Sequence, residues 1–185
     1  MTKRDIKSEF IESSFEYLVK HGLENTSVRD LCRETGISSG SMYYWFNGKD
    51  DIYISAAKYG VGQVVEKLFN YIFKSTYSLD SFFDNFIEEI DKYKEELRLI
   101  YQITTSPVYG PRMREKTMEF KVIYEDYILR MSKFLGTSSE SMAPIIYLII
   151  ALVGDYVTWE DTETTKMLFG FLKNTMKGML EKSNC

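Results

Sequence analysis

The stretch that decides the fold is Asn25–Ile52, NTSVRDLCRETGISSGSMYYWFNGKDDI. Its first half places Val28, Leu31 and Cys32 at intervals of three and four residues, the spacing of one apolar helix face. Gly36 follows, and glycine commonly ends helices because it adopts the left-handed backbone conformation without steric cost. We therefore predict a short helix that stops at a tight turn.

The second half predicts another short helix directly after that turn. Ser38 is suited to cap its amino end, since a serine hydroxyl accepts a hydrogen bond from a first-turn N–H. Met42 and Phe46 lie one turn apart and are expected to face inward. An outer face of small and aromatic hydrogen-bonding residues suits a helix that enters the major groove of DNA amino end first. The residues of this outer face are Ser39, Gly40, Ser41, Tyr43, Tyr44 and Trp45.

Amphipathic segments with helical spacing fill the rest of the chain, without strand-like alternation or internal repeats. We predict an all-α fold of about nine helices, in which a long fourth helix continues to about Lys74. The most apolar helix is expected at residues 139–159. Pro144 fits only the first turn of a helix, which suggests Ser141 as its cap. The apolar run Ile145–Val153 is shorter than the ~20 residues of a membrane span, so no membrane partner is expected.

The composition of the 185 residues indicates a cytoplasmic globular protein. Hydrophobic residues make up 44% and charged residues 27%, which supports a packed core. Residues 1–10 lack the apolar core of a signal peptide. Cys32 and Cys185 are not expected to form a disulfide, in keeping with a reducing compartment.

The net charge of -4 is weak evidence against a nucleic-acid partner. Residues 1–60 hold 8 Lys or Arg and 9 Asp or Glu, so no basic domain emerges when the chain is divided. Electrostatic affinity for DNA depends on the local placement of cations, because each neutralised phosphate releases its own counterions.

The segment Gly36–Ile52, GISSGSMYYWFNGKDDI, resembles the signature of the tetracycline-repressor-like (TetR) family of bacterial transcription regulators. The resemblance extends back through Gly22 and Phe15, and one departure from the signature is Trp45. It implies a helix-turn-helix domain at residues 1–48 and a helical effector-binding and dimerisation domain at residues 49–185. It also implies a homodimer that binds a palindromic operator in double-stranded DNA and responds to a small molecule.

Ten residues are predicted to contact DNA: nine match DNA-contacting positions of the family, and Arg29 is adjacent to two of these. The predicted recognition helix contains no Arg, Lys, Asn or Gln, so it lacks the side chains that contact guanine or adenine in a bidentate manner. Serine hydroxyls, tyrosine against thymine methyl groups and DNA shape would have to supply the discrimination. An alternative is that Tyr43 and Trp45 partly pack the core. The ten residues are Ser27, Val28, Arg29, Ser39, Gly40, Ser41, Tyr43, Tyr44, Trp45 and Lys49.

The aromatic residues after residue 60 suggest an effector site. Such a site is mostly apolar with a few polar groups, and buried phenols require hydrogen-bond partners. Core filling by the aromatic residues, and a solvent-facing acidic residue, are the structural alternatives. The candidate residues are Tyr93, Tyr101, Tyr109, Phe120, Tyr124, Tyr127, Asp155 and Trp159.

The last two helices are apolar over too wide a face for one neighbour, which favours a two-fold four-helix interface. The resembled family dimerises in this manner. The predicted interface residues are Ile146, Ile149, Ile150, Val153, Leu168, Phe171, Leu172 and Met176.

These patterns favour a ligand-responsive transcription regulator, most often a repressor in the resembled family, with a small, largely apolar or aromatic effector. The alternative is a helical interaction module that has lost sequence-specific DNA binding. An enzyme is not expected, because His21 is the one histidine and the cysteines are far apart in sequence. For the same reason no cofactor or metal ion is expected.

Overall fold

The computed structural model describes residues 5–72, 78–115 and 117–183, which contain ten α-helices and no strand. The predicted all-α class is confirmed. The helices are α1 (Ile6–His21), α2 (Val28–Thr35), α3 (Ser39–Trp45), α4 (Lys49–Ile72), α5 (Leu79–Asp91), α6 (Lys94–Thr105), α7 (Gly110–Glu115), α8 (Thr117–Leu135), α9 (Ser139–Trp159) and α10 (Thr162–Ser183).

Helix α7 accounts for the difference from the nine predicted helices. It begins at Gly110, after a turn in which the Ser106 hydroxyl accepts the backbone N–H of Val108 at 3.1 Å. The predicted end of the fourth helix, near Lys74, lies outside the described residues.

The predicted range of α9, residues 139–159, is confirmed, but the prediction of Ser141 as its cap is wrong. Ser138 is the cap, since its hydroxyl accepts the N–H of Ser141 at 3.2 Å, and the helix begins at Ser139. Pro144 consequently lies beyond the first turn. A proline at this depth removes one backbone hydrogen bond, and both Pro144 and Glu140 are exposed, so water can satisfy the freed carbonyl.

The first compact unit takes the described residues up to Val64 together with Glu95–Thr117. The predicted domain boundary after residue 48 therefore does not coincide with the packing, because the first part of α4 and most of α6 and α7 belong to this unit. Its core consists of fully buried apolar side chains, among them Phe10, Leu18, Leu31, Met42, Ile52, Ala56 and Ile103.

The second unit takes Val65–Lys94 and the described residues from Met118 onward. Helix α5 packs on α10, where Lys177 pairs with Asp80 at 2.7 Å and Lys173 with Asp84 at 2.9 Å. The core of this unit is aromatic and aliphatic, with Phe82, Phe86, Ile90, Met142, Ile146, Phe169, Leu172 and Met176 buried.

Within the described part of the chain, α9 is the one helix that is long and apolar enough to cross a membrane by length and composition alone. Core helices of soluble proteins meet the same two criteria. Ile145 and Val153 of α9 are buried within the second unit, whereas Tyr147 and Leu148 are exposed.

We expect the packing of α1 on α4 to depend on Gly60. A Cβ atom at this position would lie 2.2 Å from Cε2 of Phe15, whose ring is packed against Tyr59. Gly60→Ala should therefore lower the free energy of unfolding by about 1–3 kcal/mol, the usual cost of overpacking. Gly62→Ala is the matched control, because a Cβ there meets nothing within 4 Å, and it should raise stability by about 0.5–1 kcal/mol. Urea unfolding followed by circular dichroism checks both values, and equal stability of the two variants would contradict the packing.

Candidate nucleic-acid interface

Helix α2 begins at a complete capping box. The Ser27 hydroxyl accepts the N–H of Asp30 at 3.2 Å, and Asp30 accepts the N–H of Ser27 at 3.0 Å. The bonds from the Ser27 hydroxyl and N–H, with a smaller effect of Arg33, lower the pKa of Asp30. Reciprocal bonds of this kind fix the amino end of a short helix.

The turn from α2 to α3 forms as predicted. Gly36 adopts the left-handed conformation with φ 69° and ψ 11°, and the hydroxyl of Ser38 accepts the N–H of Ser41 at 3.2 Å. Met42 and Phe46 are buried, and the Phe46 ring lies 5.6 Å from that of Phe10. The inward face of α3 is therefore fixed by the core of the first unit.

The outward face of α3 carries hydroxyls and aromatic rings without a charged side chain. Tyr43 is 61% exposed and Tyr44 is 86% exposed, so neither packs the core of this unit. Trp45 is half-buried, so the alternative that its indole partly packs the core still applies. Ser39, Gly40 and Ser41 are exposed beside the two tyrosines.

Lys49, at the start of α4, is held against a buried tyrosine. Its ammonium lies 5.0 Å from the ring centroid of Tyr53. The Tyr53 hydroxyl lies 2.8 Å from the Thr26 carbonyl and 3.1 Å from the Leu23 carbonyl. Burial, followed by the charges of Tyr109 and two acidic residues, raises the pKa of Tyr53, so the phenol stays a donor. One side chain thus connects Lys49 with the residues that precede the α2 cap.

The ten residues predicted to contact DNA all belong to the first unit. Seven of them are exposed and three, Val28, Trp45 and Lys49, are half-buried. Each has surface that a duplex could reach. Their contact with DNA stays a prediction.

The sequence analysis missed a second contact at the start of α4. Arg112 of α7 lies with Nη1 at 3.3 Å from Oδ2 of Asp50 and donates through Nη2 to Asp51. The ring of Tyr109 lies 5.4 Å from that of Tyr53. These partners are more than 50 residues apart in sequence, so spacing along one helix could not reveal them.

The predicted effector residues are divided between the two units. Tyr101 and Tyr109 belong to the first unit and the other described members to the second. Tyr127 is buried and stacks on Phe69 with ring centroids 4.0 Å apart, so it fills core. Asp155 and Trp159 are exposed, so the second unit does not enclose them in its core, and their contact with an effector stays a prediction. The side chain of Phe120 lies outside the described residues.

The other two predicted tyrosines of the second unit also have neighbours of their own. Tyr93 lies under the ammonium of Lys67, 5.2 Å from its ring centroid. The ring of Tyr124 meets that of Tyr147 edge-on at 6.2 Å, and burial raises the pKa of the Tyr124 phenol. Each ring therefore has a side-chain neighbour within the second unit.

An apolar cavity of about 40 Å³ does exist in the second unit, among α5, α8, α9 and α10. No residue of the predicted effector set whose side chain is described lines it. Its volume is far below the ~300 Å³ of a typical ligand pocket, so the described side chains fill most of this space. The lining residues are Ser78, Leu79, Phe82, Met131, Phe134, Leu135, Met142, Ile145, Ile146, Ile149 and Met176.

Most of the predicted dimer residues are buried inside this protomer. A side chain that contacts a second copy must be accessible in the single chain. Ile146, Ile149, Val153, Leu172 and Met176 are buried in the core of the second unit, so the single protomer does not present them to a second copy, and their part in a dimer stays a prediction. Ile150 and Leu168 are half-buried, and Phe171 is 72% exposed. The exposed apolar side chains next to the buried ones are Tyr147, Leu148, Trp159 and Met167.

The family model of the bacterial regulatory proteins of the tetR family matches residues 10–56. The fatty acid metabolism regulator protein of Bacillus subtilis (strain 168) is 29% identical over 66 residues, 36% of this chain and 34% of the relative. The chain thus aligns with about a third of that relative's length. The negative transcriptional regulator IcaR of the biofilm operon of Staphylococcus aureus (strain Newman) is 22% identical over 138 residues, 69% of this chain and 74% of IcaR.

Solved structures share the fold over nearly the whole chain. A TetR-family transcriptional regulator described as putative, from Rhodococcus sp., superposes with a TM-score of 0.61 at 15% identity, covering 93% of this chain and 98% of that one. FadR of Bacillus subtilis, in complex with stearoyl-CoA, superposes with a TM-score of 0.50 at 14% identity, covering 91% and 96%. With the helix-turn-helix geometry of α2 and α3, the family model identifies residues 10–56 as a helix-turn-helix domain of the tetR family of bacterial regulatory proteins, and the solved structures show that the chain shares the fold of TetR-family regulators.

Proposed function

We propose that this regulator is a repressor that binds a palindromic operator as a homodimer and leaves it when a small, largely apolar effector binds the second unit. The observation that carries the proposal is the orientation of α3. Met42 and Phe46 are buried while Tyr43 and Tyr44 project into solvent. Two adjacent exposed tyrosines contribute little to the core, so their position is best explained by a partner that they contact.

The outer face of α3 indicates how DNA is read. It offers serine hydroxyls and phenols, which donate and accept single hydrogen bonds, and aromatic edges that can contact thymine methyl groups. Arg29 and Lys49 supply positive charge for phosphate contacts at either side of this face. We infer that groove shape contributes much of the sequence preference.

The homodimer is proposed to form on the exposed faces of α9 and α10. Tyr147 and Leu148 on α9, with Met167 and Phe171 on α10, remain exposed in the single protomer. Apolar side chains in such number on neighbouring helices favour an interface, since burial in a dimer removes them from water. A two-fold dimer would place two recognition helices about 34–36 Å apart, one turn of DNA.

The apolar lining of the cavity indicates the chemistry of the effector. Three of its lining residues are methionines, Met131, Met142 and Met176, whose flexible side chains can rearrange around an inserted apolar ligand. Ser78 is the one polar residue among the lining residues, so a charged group would not be accommodated there. The stearoyl-CoA complex of the structurally similar FadR makes a long acyl chain the first class to test.

Release of DNA requires that the effector bind one conformation more tightly than the other. Helix α4 supplies residues to both units and is therefore a covalent connection between the cavity and the α3–α4 turn. A repressor is proposed because IcaR is named a negative regulator.

Replacing Tyr44 by alanine should weaken DNA binding without unfolding the protein, because the side chain is 86% exposed. Loss of one base or sugar contact in each protomer is expected to lower affinity about ten-fold or more. The measurement is a gel shift with a duplex that the wild-type protein selects from a randomised pool. Tyr17→Ala is the control, since Tyr17 stacks on His21 at the carboxyl end of α1. Equal binding by Tyr44→Ala would remove α3 from the proposed surface, and failure of the wild type to select any duplex would favour the interaction-module alternative.

Phe171→Glu should convert the homodimer into monomers, because two carboxylates would be buried in an apolar interface. Sedimentation velocity is expected to show the mass of a single chain, and operator affinity should fall with it. Met118→Glu is the matched control, since Met118 of α8 is also an exposed apolar residue, 68% accessible, but lies on a different helix. A dimer that persists in Phe171→Glu would refute the proposed interface.

Stearoyl-CoA is expected to lower operator affinity and raise the melting temperature of the DNA-free protein, because a ligand stabilises the state it binds. Free coenzyme A, which lacks the acyl chain, is the control and should have neither effect. Fluorescence anisotropy of the labelled operator gives the first quantity and a thermal melt gives the second. If both compounds act equally, the apolar cavity is not the site of the response.

A further inference from the structure

Arg112 links α7 to the first turn of α4 within the first unit. Its Nη1 lies 3.3 Å from Oδ2 of Asp50, and its Nη2 donates to Oδ1 of Asp51. The other oxygen of Asp51 accepts the backbone N–H of Asn47 at 2.9 Å. The guanidinium therefore lies at the turn that follows α3, in contact with the two residues that come directly after Lys49 in sequence.

The two carboxylates are electrostatically unfavourable at this place. They directly follow Lys49, one of the cations proposed to meet phosphate, and repel phosphates that lie within a Debye length of about 10 Å. Residues 1–60 contain one more acidic than basic residue, so the helix-turn-helix segment has no cation in excess to offset them. Positive charge has to come from elsewhere in the chain.

Protonation does not remove the negative charge of Asp51. Burial alone would raise the pKa of Asp51, but the hydrogen bond from the Asn47 N–H and the charge of Arg112 outweigh it, and the pKa is lowered. Asp51 caps the turn by accepting the Asn47 N–H. Its negative charge is therefore offset by a neighbouring cation and not removed by protonation.

We propose that Arg112 is a positioning residue of the DNA-binding surface, which compensates the charge of Asp50 and Asp51 and so allows phosphate to approach Lys49. This inference rests on the proposed DNA-binding function. It extends the surface from the helix-turn-helix segment to a residue of α7.

The test uses the full-length protein and the duplex selected by the wild type. Arg112→Ala should lower affinity roughly ten-fold at about 50 mM salt and by a smaller factor at about 200 mM, since the effect is electrostatic. Arg112→Lys keeps the charge and should bind within about two-fold of wild type. In the double variant Arg112→Ala/Asp50→Asn, the net charge of positions 50, 51 and 112 returns to the wild-type value of one negative charge. This variant should recover most of the affinity.

Arg130→Ala is the matched control, because it removes the same charge from an arginine paired with a carboxylate, Asp126, in the second unit. Its affinity should equal that of the wild type. Thermal melts should place Arg112→Ala within a few degrees of wild type, since half-exposed ion pairs contribute little to stability.

The outcomes separate the two proposals. A wild type that binds together with an Arg112→Ala variant of equal affinity overturns the role of Arg112 alone. Loss of affinity that Asp50→Asn does not recover overturns charge compensation, because a purely structural contact would behave in this manner. If the wild type selects no duplex, the DNA-binding proposal fails and this inference fails with it.

Discussion

The burial of Met42 and Phe46 in the core of the first unit is the constraint on which the rest depends. Helix α3 has only seven residues, so its orientation is set by this inward pair and by the two flanking turns. Once the pair is buried, Tyr43 and Tyr44, which follow Met42 by one and two residues, must face solvent. The outer surface is thus a geometric consequence of the core, and its chemistry can vary without altering the fold.

A recognition surface without arginine or lysine places greater weight on its surroundings. The cation of Lys49 lies on the Tyr53 ring, and the hydroxyl of Tyr53 reaches the loop before α2. Arg112 brings a further cation to the start of α4. Charge at this surface is therefore organised by contacts between distant segments, which explains how an acidic chain can present a local surface that phosphate tolerates.

Local signals predicted the first unit well. Gly36 and Ser38 act on their own turn, and the spacing of Met42 and Phe46 reports the face of one helix, so neighbouring residues contain the necessary information. Pro144 was misleading because its cost depends on whether water can reach the freed carbonyl, which is decided by tertiary exposure. The contact of Arg112 with the start of α4 joins residues that are far apart in sequence. The same is true of the segment between Lys94 and Thr117, which packs with the first unit although it follows part of the second.

The choice of dimer residues from the sequence met a related physical ambiguity. Periodicity shows how wide the apolar face of α9 and α10 is, but burial against α5 or against a second copy produces the same pattern. The most apolar positions, such as Ile146 and Leu172, were taken by the protomer's own core because folding within one chain does not depend on concentration. The apolar residues that a partner can reach lie at the edge of that face. Tyr147 and Phe171 are two such residues, because their apolar side chains are exposed. An interface of this kind is better sought among residues beside the strongest apolar stripe than within it.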